Sequence, residues 1–429
     1  MSRAALPGFR DFYPQELAER AYVMNAWRVV ARRFGFVEYD GPPLEPLELY
    51  TAKSGEEIVG QLYAFDDKGG RQVALRPEMT PTFARMVGAR LNALRKPVRW
   101  FSIPQLFRYE RQQKGRLREH FQLNADIVGE TDIAADAELL ALAIDVMREL
   151  GLTSRDVNAR VSDRRLTAAL LTHFRIAEKD QPLVYSVLDK FDREPRGVLE
   201  KRLTDAGVAP DSVAALFDAV GARDLDELGA LLGGAPAMSG HMYDLRRYFD
   251  LLGALGISDW VRLDLSVVRG LAYYTGIVFE LFDTAGEFRA ICGGGRYDDL
   301  LATLGGAPAP ALGFGMGDVV LAELLRARKL MPALAPSVDY WVAGDDDALL
   351  PDVMSVAARL RGSGHSVEYS LKPQQLARQL KAAASAGAGQ VVILLRDQWN
   401  AGAGTMTVKT LADGSERVVR GDELFNHRV

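Results

Sequence analysis

Apolar residues recur at helical spacing near the start of the chain. Leu17, Ala21, Met24, Trp27, Ala31 and Phe34 fall on one side of a helix predicted over residues 15–34. The run Gly-Pro-Pro-Leu-Glu-Pro at 41–46 cannot be helical and predicts an extended connector. Thr80-Pro81 predicts an N-cap with proline in the first turn, opening a helix over 82–92. From 99 to 128 the pattern predicts two strands around a polar loop. In the second strand Phe121, Leu123, Ala125 and Ile127 alternate with Gln122, Asn124 and Asp126. One face suits a core. The other presents two amides and a carboxylate in a row, and is either a sheet face open to water or the floor of a site.

Residues 165–250 are rich in alanine, leucine and charge and predict short helices over 166–174, 184–190, 196–205, 212–219, 224–232 and 242–252. The pattern then returns to strands at 277–282 and 288–292, with Gly286 in the turn of a hairpin, followed by a helix over 319–328. Residues 331–337 carry two prolines and read as a linker. Beyond it, strands at 340–343, 367–369, 391–395 and 405–411 alternate with helices at 349–361 and 374–386. That alternation predicts a small α/β domain. The expected division is 1–164, 256–330 and 338–429, with 165–255 as an all-helical insertion.

With 429 residues the chain is too long for one compact core. Its 52 basic and 57 acidic residues leave a net charge of −5, so nucleic-acid contact must come from local basic patches. A lone cysteine, Cys292, rules out an internal disulfide, which fits a reducing cytoplasm. One cysteine and five scattered histidines argue against structural zinc. No apolar run reaches membrane-spanning length, so no membrane partner is expected.

Four clusters could carry chemistry. In Arg76-Pro77-Glu78-Met79-Thr80, a carboxylate and a hydroxyl before a helix could hold an ammonium group, or could simply cap the helix. Residues 107–118 read FRYERQQKGRLR. Arg108 and Glu110 share a strand face, and Lys114-Gly115-Arg116 would form a hairpin tip suited to an RNA backbone. A solvated charged hairpin is the alternative, but the apolar flank Leu106-Phe107 places Arg108 near the core. Residues 269–276, RGLAYYTG, join Arg269 to two tyrosines and two glycines; a tyrosine-rich core strand does not account for the arginine. The glycine runs CGGGRYD (292–298) and GFGMG (313–317) admit a nucleotide or a tight strand crossing. They match neither the Rossmann fingerprint nor the P-loop.

Taken in order, RPEMT, FRYERQQKGRLREHFQ, RGLAYYTG and CGGGRYD resemble the histidyl-tRNA synthetase family. The second string resembles class II motif 2, the third and fourth the two histidine signatures, and GFGMG the start of motif 3. Residues 7–46 are similar to the segment containing motif 1, which builds a dimer interface, and 338–425 to an anticodon-binding domain. The resemblance implies an α+β fold. A class II catalytic domain on an antiparallel sheet flanked by helices would carry a helical insertion and a C-terminal α/β anticodon-binding domain. It further implies a cytoplasmic homodimer that activates L-histidine with ATP and Mg2+ and transfers it to tRNA(His).

Carried over residue by residue, the resemblance gives Glu78 and Thr80 to the histidine amino group. Arg108 bridges substrate carboxylate and ATP α-phosphate, with Arg269 beside it and Glu110 on the ATP. Gln122, Asp126, Tyr273 and Tyr274 line the histidine site, and Gln113, Lys114 and Arg116 face the tRNA acceptor end. Two positions depart from the family pattern. Val320 stands where motif 3 usually has an arginine that clamps the ATP γ-phosphate, and Ala272 replaces an aspartate. The rival reading is a family paralogue that serves as the non-catalytic regulatory subunit of ATP phosphoribosyltransferase in histidine biosynthesis. Such paralogues usually lack the anticodon domain and erode the histidine signatures, whereas this chain keeps the C-terminal α/β domain and the arginines.

Overall fold

The computed structural model describes residues 4–51, 60–110, 115, 117–233, 235–268, 274–333, 337–399 and 404–425, with only the backbone described at 236, 237 and 422. The chain divides into two compact units. One comprises Met1–Asp11 and Glu19–Pro332, the other Phe12–Ala18 and Ala333–Val429.

The larger unit is organised by an alternating strand. β7 (Glu119–Val128) turns Phe121, Leu123, Ala125 and Ile127 into the main apolar cluster. The sheet that β7 anchors takes in β1 (Val37–Glu38), β5 (Val98–Ser102), β6 (Gln105–Phe107), β8 (Val157–Asp163), β9 (Val261–Leu263), β10 (Ile277–Asp283), β11 (Cys292–Arg296) and β12 (Ala311–Gly317). Its order is β1-β5-β7-β12-β11-β10-β8-β9, with β6 paired onto β7. Pairing is antiparallel except for β1 with β5 and β8 with β9. Helices Pro14–Arg33, Ile133–Glu149 and Asp318–Ala327 bury their apolar residues in the same cluster as that face of β7. The opposite face is thereby left for chemistry.

The N-terminal helix runs Pro14–Arg33 and buries Met24, Trp27 and Ala31, but Leu17 and Ala21 of the predicted stripe are exposed. The proline run predicted as a plain connector holds a strand, β2 (Leu44–Pro46), paired with β4 (Gln72–Leu75), which also pairs with β3 (Tyr63–Asp66). β2 lies at the edge of this small sheet, where a proline costs no ladder bond. Residues 99–128 form three strands, because β6 separates from β5 at Ile103-Pro104.

The largest correction concerns glycine. The second hairpin strand was expected at 288–292, yet β11 begins at Cys292 and consists of Cys-Gly-Gly-Gly-Arg. A Cβ on Gly294 would lie 2.4 Å from the Phe314 Cβ, and one on Gly295 would lie 2.6 Å from the Ile277 carbonyl oxygen. The glycines therefore mark close strand packing.

Helices Arg164–His173, Gln181–Leu188, Arg196–Asp205, Pro210–Val220, Leu225–Leu231 and Pro236–Ala254 follow the predicted helices of the second block. In the smaller unit, β13 (Tyr340–Gly344) pairs in parallel with β14 (Val367–Tyr369) and β15 (Gln390–Leu394). β16 (Thr405–Thr410) and β17 (Glu416–Arg420), the latter not predicted, continue the sheet in antiparallel sense. No described helix is long and apolar enough to cross a membrane.

Candidate active site

Register explains the site. Gln122, Asn124 and Asp126 of β7 pair with Gly317, Gly315 and Gly313 of β12. Gly315 and Gly313 pair in turn with Gly293 and Gly295 of β11. Gly293 pairs with Glu280 of β10, and Glu280 with Arg160 of β8. Paired residues share a face. This face therefore reads, strand by strand, as side chains, glycines, glycines, side chains. The bare middle forms the floor of a cleft of about 1160 Å3, with Gln122 and Asn124 on one flank and Glu280 and Arg160 on the other.

The glycines also make room for the β7 side chains. A Cβ on Gly313 would lie 2.0 Å from Asp126 Oδ1 and 3.0 Å from the Ala125 carbonyl oxygen, and one on Gly315 would lie 2.7 Å from the Gln122 amide. Gly313→Ala is expected to cost about 1–3 kcal/mol of stability through overpacking. Thermal unfolding should show the loss, and an unchanged melting temperature would refute the close-packing reading.

Glu78 and Thr80 line the cleft beside Arg108. Their segment is held from behind by the buried Arg76. Its Nε donates to the Gln105 carbonyl at 3.0 Å, and its terminal nitrogen to Asp40 at 2.8 Å and to the Gly41 carbonyl at 2.7 Å. Helix Thr80–Gly88 starts one residue earlier than a Thr80 cap requires. Met79 is the N-cap, makes no side-chain capping bond, and leaves Thr80 inside the first turn with Pro81. Arg108 donates through Nε to the Pro77 carbonyl at 2.9 Å, and its terminal nitrogen lies 4.0 Å from Glu110. That separation makes a loose ion pair, so the guanidinium edge remains suited to an anion.

Asp126 lies just beneath the floor, 3% exposed, and accepts a hydrogen bond from the Tyr297 hydroxyl. Burial pushes its carboxyl up to about 7, and the Tyr297 bond works against that rise. Tyr274 lines the cleft with its ring centroid 6.5 Å from that of Tyr297. Burial holds its phenol protonated, and the nearby carboxyl groups of Glu78 and Asp126 push the same way. His120, not anticipated from sequence, also lines the cleft. Burial, then Arg108 and Arg10, push its pKa down to about 3, so it is a neutral ring at ordinary pH.

Arg10 was likewise not anticipated. It donates to Glu119 at 2.6 Å and to Asp318 at 2.9 Å, while Asp318 also accepts from the Phe121 amide at 2.9 Å. Gln105 donates to the second oxygen of Glu119 at 2.9 Å. This network joins the N-terminal segment to the first residues of β7 and to the helix that carries Val319, Val320 and Glu323 into the cleft wall. The candidates Arg269, Tyr273, Gln113, Lys114 and Arg116, and the departure at Ala272, lie outside the described residues.

A glycine-floored cleft on an antiparallel sheet, walled by arginine and carboxylate, belongs to the class II aminoacyl-tRNA synthetase fold. The histidyl-tRNA synthetase family model matches residues 8–318, and the chain belongs to that family. It is 45% identical to a histidine–tRNA ligase of Opitutus terrae over 402 residues, 92% of this chain and 91% of that one. It is 40% identical to a chloroplastic/mitochondrial histidine–tRNA ligase of Arabidopsis thaliana, covering 97% of this chain and 85% of that one. Among solved structures, a histidyl-tRNA synthetase from Nostoc sp. PCC 7120 superposes with a TM-score of 0.84 at 24% identity, over 99% of this chain and 98% of that chain. A Bacillus halodurans structure described as an ATP phosphoribosyltransferase regulatory subunit/histidyl-tRNA synthetase gives 0.74 at 22% identity, over 92% and 98%. These two structures show the shared fold.

Proposed function

We propose that the chain is a histidine–tRNA ligase that activates L-histidine with ATP and esterifies it to tRNA(His). The observation that carries this reading is the meeting of Arg108, Glu78 and Gln122 at one cleft, in a chain of this family. Glu78 and Thr80 receive the amino group, while Gln122, Asp126, Tyr273 and Tyr274 line the histidine site, with Asp126 and Tyr274 nearest the imidazole. The histidine carboxylate attacks the α-phosphorus and pyrophosphate leaves. Negative charge grows on the phosphoryl oxygens, where Arg108 and Arg269 stabilise it. Magnesium enters with ATP as part of the substrate. We assign no metal ligand to the chain itself beyond the magnesium carried with ATP. The terminal ribose hydroxyl of tRNA then attacks the adenylate, guided by Gln113, Lys114 and Arg116.

We assign catalysis to residues 1–164 and 256–330, an inserted helical domain to 165–255, and anticodon binding to 338–429. We also propose a homodimer in the cytoplasm. Val37 lies on an edge strand and is 61% exposed, and Leu17, Val29 and Leu44 also show apolar surface in the 7–46 segment. Sedimentation at micromolar concentration is expected to give twice the chain mass.

The deciding experiment is ATP–pyrophosphate exchange with each amino acid in turn, followed by tRNA charging. Exchange with histidine alone is expected. Histidine binding without exchange would instead support the regulatory paralogue.

A pH test addresses Asp126. Its charged form serves the imidazole, so kcat/KM for histidine should rise as pH climbs through about 7. Tyr297→Phe removes the bond that favours the charged form and should move that rise to higher pH. The substrate's own titration is common to both enzymes and drops out of the comparison. Superimposable profiles would count against a role for Asp126 in histidine recognition.

A further inference from the structure

We propose that Thr275 is a positioning residue of the histidine pocket, a deepening that rests on the histidine reading above. It follows Tyr274 in the segment RGLAYYTG, and the reaction itself does not call on its hydroxyl. The registered ladder between β10 and β11 ends at Val278 and Gly295. Beyond that end the two chains are joined again at Thr275. Its amide donates to the Arg296 carbonyl at 2.7 Å. Its hydroxyl accepts from the Asp298 amide at 3.1 Å. As a donor, the same hydroxyl lies 3.4 Å from the Arg296 carbonyl and 3.4 Å from an Asp298 carboxylate oxygen. An amide past the end of a strand needs an acceptor, and a hydroxyl can accept and donate at once.

The partners of Thr275 are themselves fixed. The buried Arg296 guanidinium donates through Nε to Asp136 of the Ile133–Glu149 helix at 3.2 Å. It also donates to the Glu130 carbonyl at 2.9 Å. One Asp298 oxygen accepts from the Ala311 amide at 3.1 Å. Between these two residues, the Tyr297 amide donates to the Ala311 carbonyl at 2.7 Å. Tyr297 therefore stands on a framed segment, with its hydroxyl on Asp126. Tyr274 is joined to that frame through the next residue, Thr275. The chain leaves little slack there, since a Cβ built at Gly276 would lie 3.3 Å from Arg296 Cβ. The clasp thus sets the spacing of two tyrosine rings that both line the cleft. Their centroids are 6.5 Å apart and their planes meet at 48°. A slip at Thr275 moves Tyr274 against Tyr297, and with Tyr297 the bond to Asp126.

The test uses the full-length enzyme, with ATP–pyrophosphate exchange and calorimetric binding of histidine. Thr275→Val keeps the shape of the side chain and removes the hydroxyl. It is expected to raise the KM and the dissociation constant for histidine about five- to tenfold, the scale of one lost hydrogen bond. The KM for ATP should stay within about twofold, because the clasp bears on the tyrosines of the amino-acid side. Thr275→Ser keeps both hydrogen-bonding roles and should recover most of the loss. Tyr297→Phe cuts the far end of the same link. Combined with Thr275→Val, it should weaken histidine binding by less than the sum of the two single effects. If the valine variant does not fold, Thr275→Ala is carried through the same measurements. Unchanged histidine affinity would overturn the proposal. So would equal weakening toward histidine and ATP, a serine variant as weak as valine, or strictly additive losses, each of which marks a merely structural role. A wild type that binds no histidine would overturn the histidine reading itself, an outcome separate from an active wild type matched by Thr275→Val.

Discussion

Arg108→Ala is expected to lower kcat for histidine-dependent pyrophosphate exchange on the order of 10²–10³-fold, as loss of one preorganised donor at a charge-building centre does elsewhere. The KM values should move little. The charge that Arg108 meets grows as the α-phosphorus is attacked, so kcat and kcat/KM fall together. The side chain is placed for this task in advance. Its Nε is spent on the Pro77 carbonyl, and its contact with Glu110 is a loose 4.0 Å. Arg108→Lys keeps the charge but not the fork and should recover part of the loss. Rapid-quench measurement of adenylate formation separates this step from product release. A fall of less than about threefold in the alanine variant would remove Arg108 from the reacting centre.

Local patterns were readable in the sequence wherever one element decides its own structure. The insertion helices announced themselves by periodicity, and strand β7 by alternation, because each answers to a spacing within a single segment. Gln122 and Asn124 were placed correctly on one face for the same reason. β11 was not readable in this way. Three consecutive glycines carry no strand preference, and they form a strand because Phe314 and Ile277 approach too closely for any Cβ. The β2 strand was hidden by prolines that are tolerated at a sheet edge. The helix start was misplaced by one residue, so Thr80 sits inside the first turn and not at the cap.

The unanticipated site residues share one cause. Tyr297 reaches Asp126 across strand β12, and His120 gains its meaning from Arg108 and Arg10. None of these is a neighbour in sequence. A clue did exist in GFGMG, whose glycines alternate with Phe314 and Met316. Read as period two, it predicts a strand with one apolar face and one face bare of side chains.

Arg10→Ala is expected to destabilise the fold by about 3–5 kcal/mol, since it strands two buried carboxylates, Glu119 and Asp318, that are 1% and 4% exposed. In a unit of this size that corresponds to roughly 10 °C in Tm. Arg10 already works against a rise in the Asp318 pKa that burial imposes, so its removal pushes that carboxyl further up. A carboxyl with a raised folded pKa favours the native state at low pH and withdraws that support as pH climbs. The variant's deficit should therefore be smaller at pH 5 than at pH 8. Pairing Arg10→Ala with Glu119→Gln and Asp318→Asn removes the stranded charge and should restore most of the lost stability. Urea denaturation at both pH values reads each outcome. A deficit below about 1 kcal/mol, or one equal at the two pH values, would mean that the Arg10 network does not hold β7 to the Asp318–Ala327 helix.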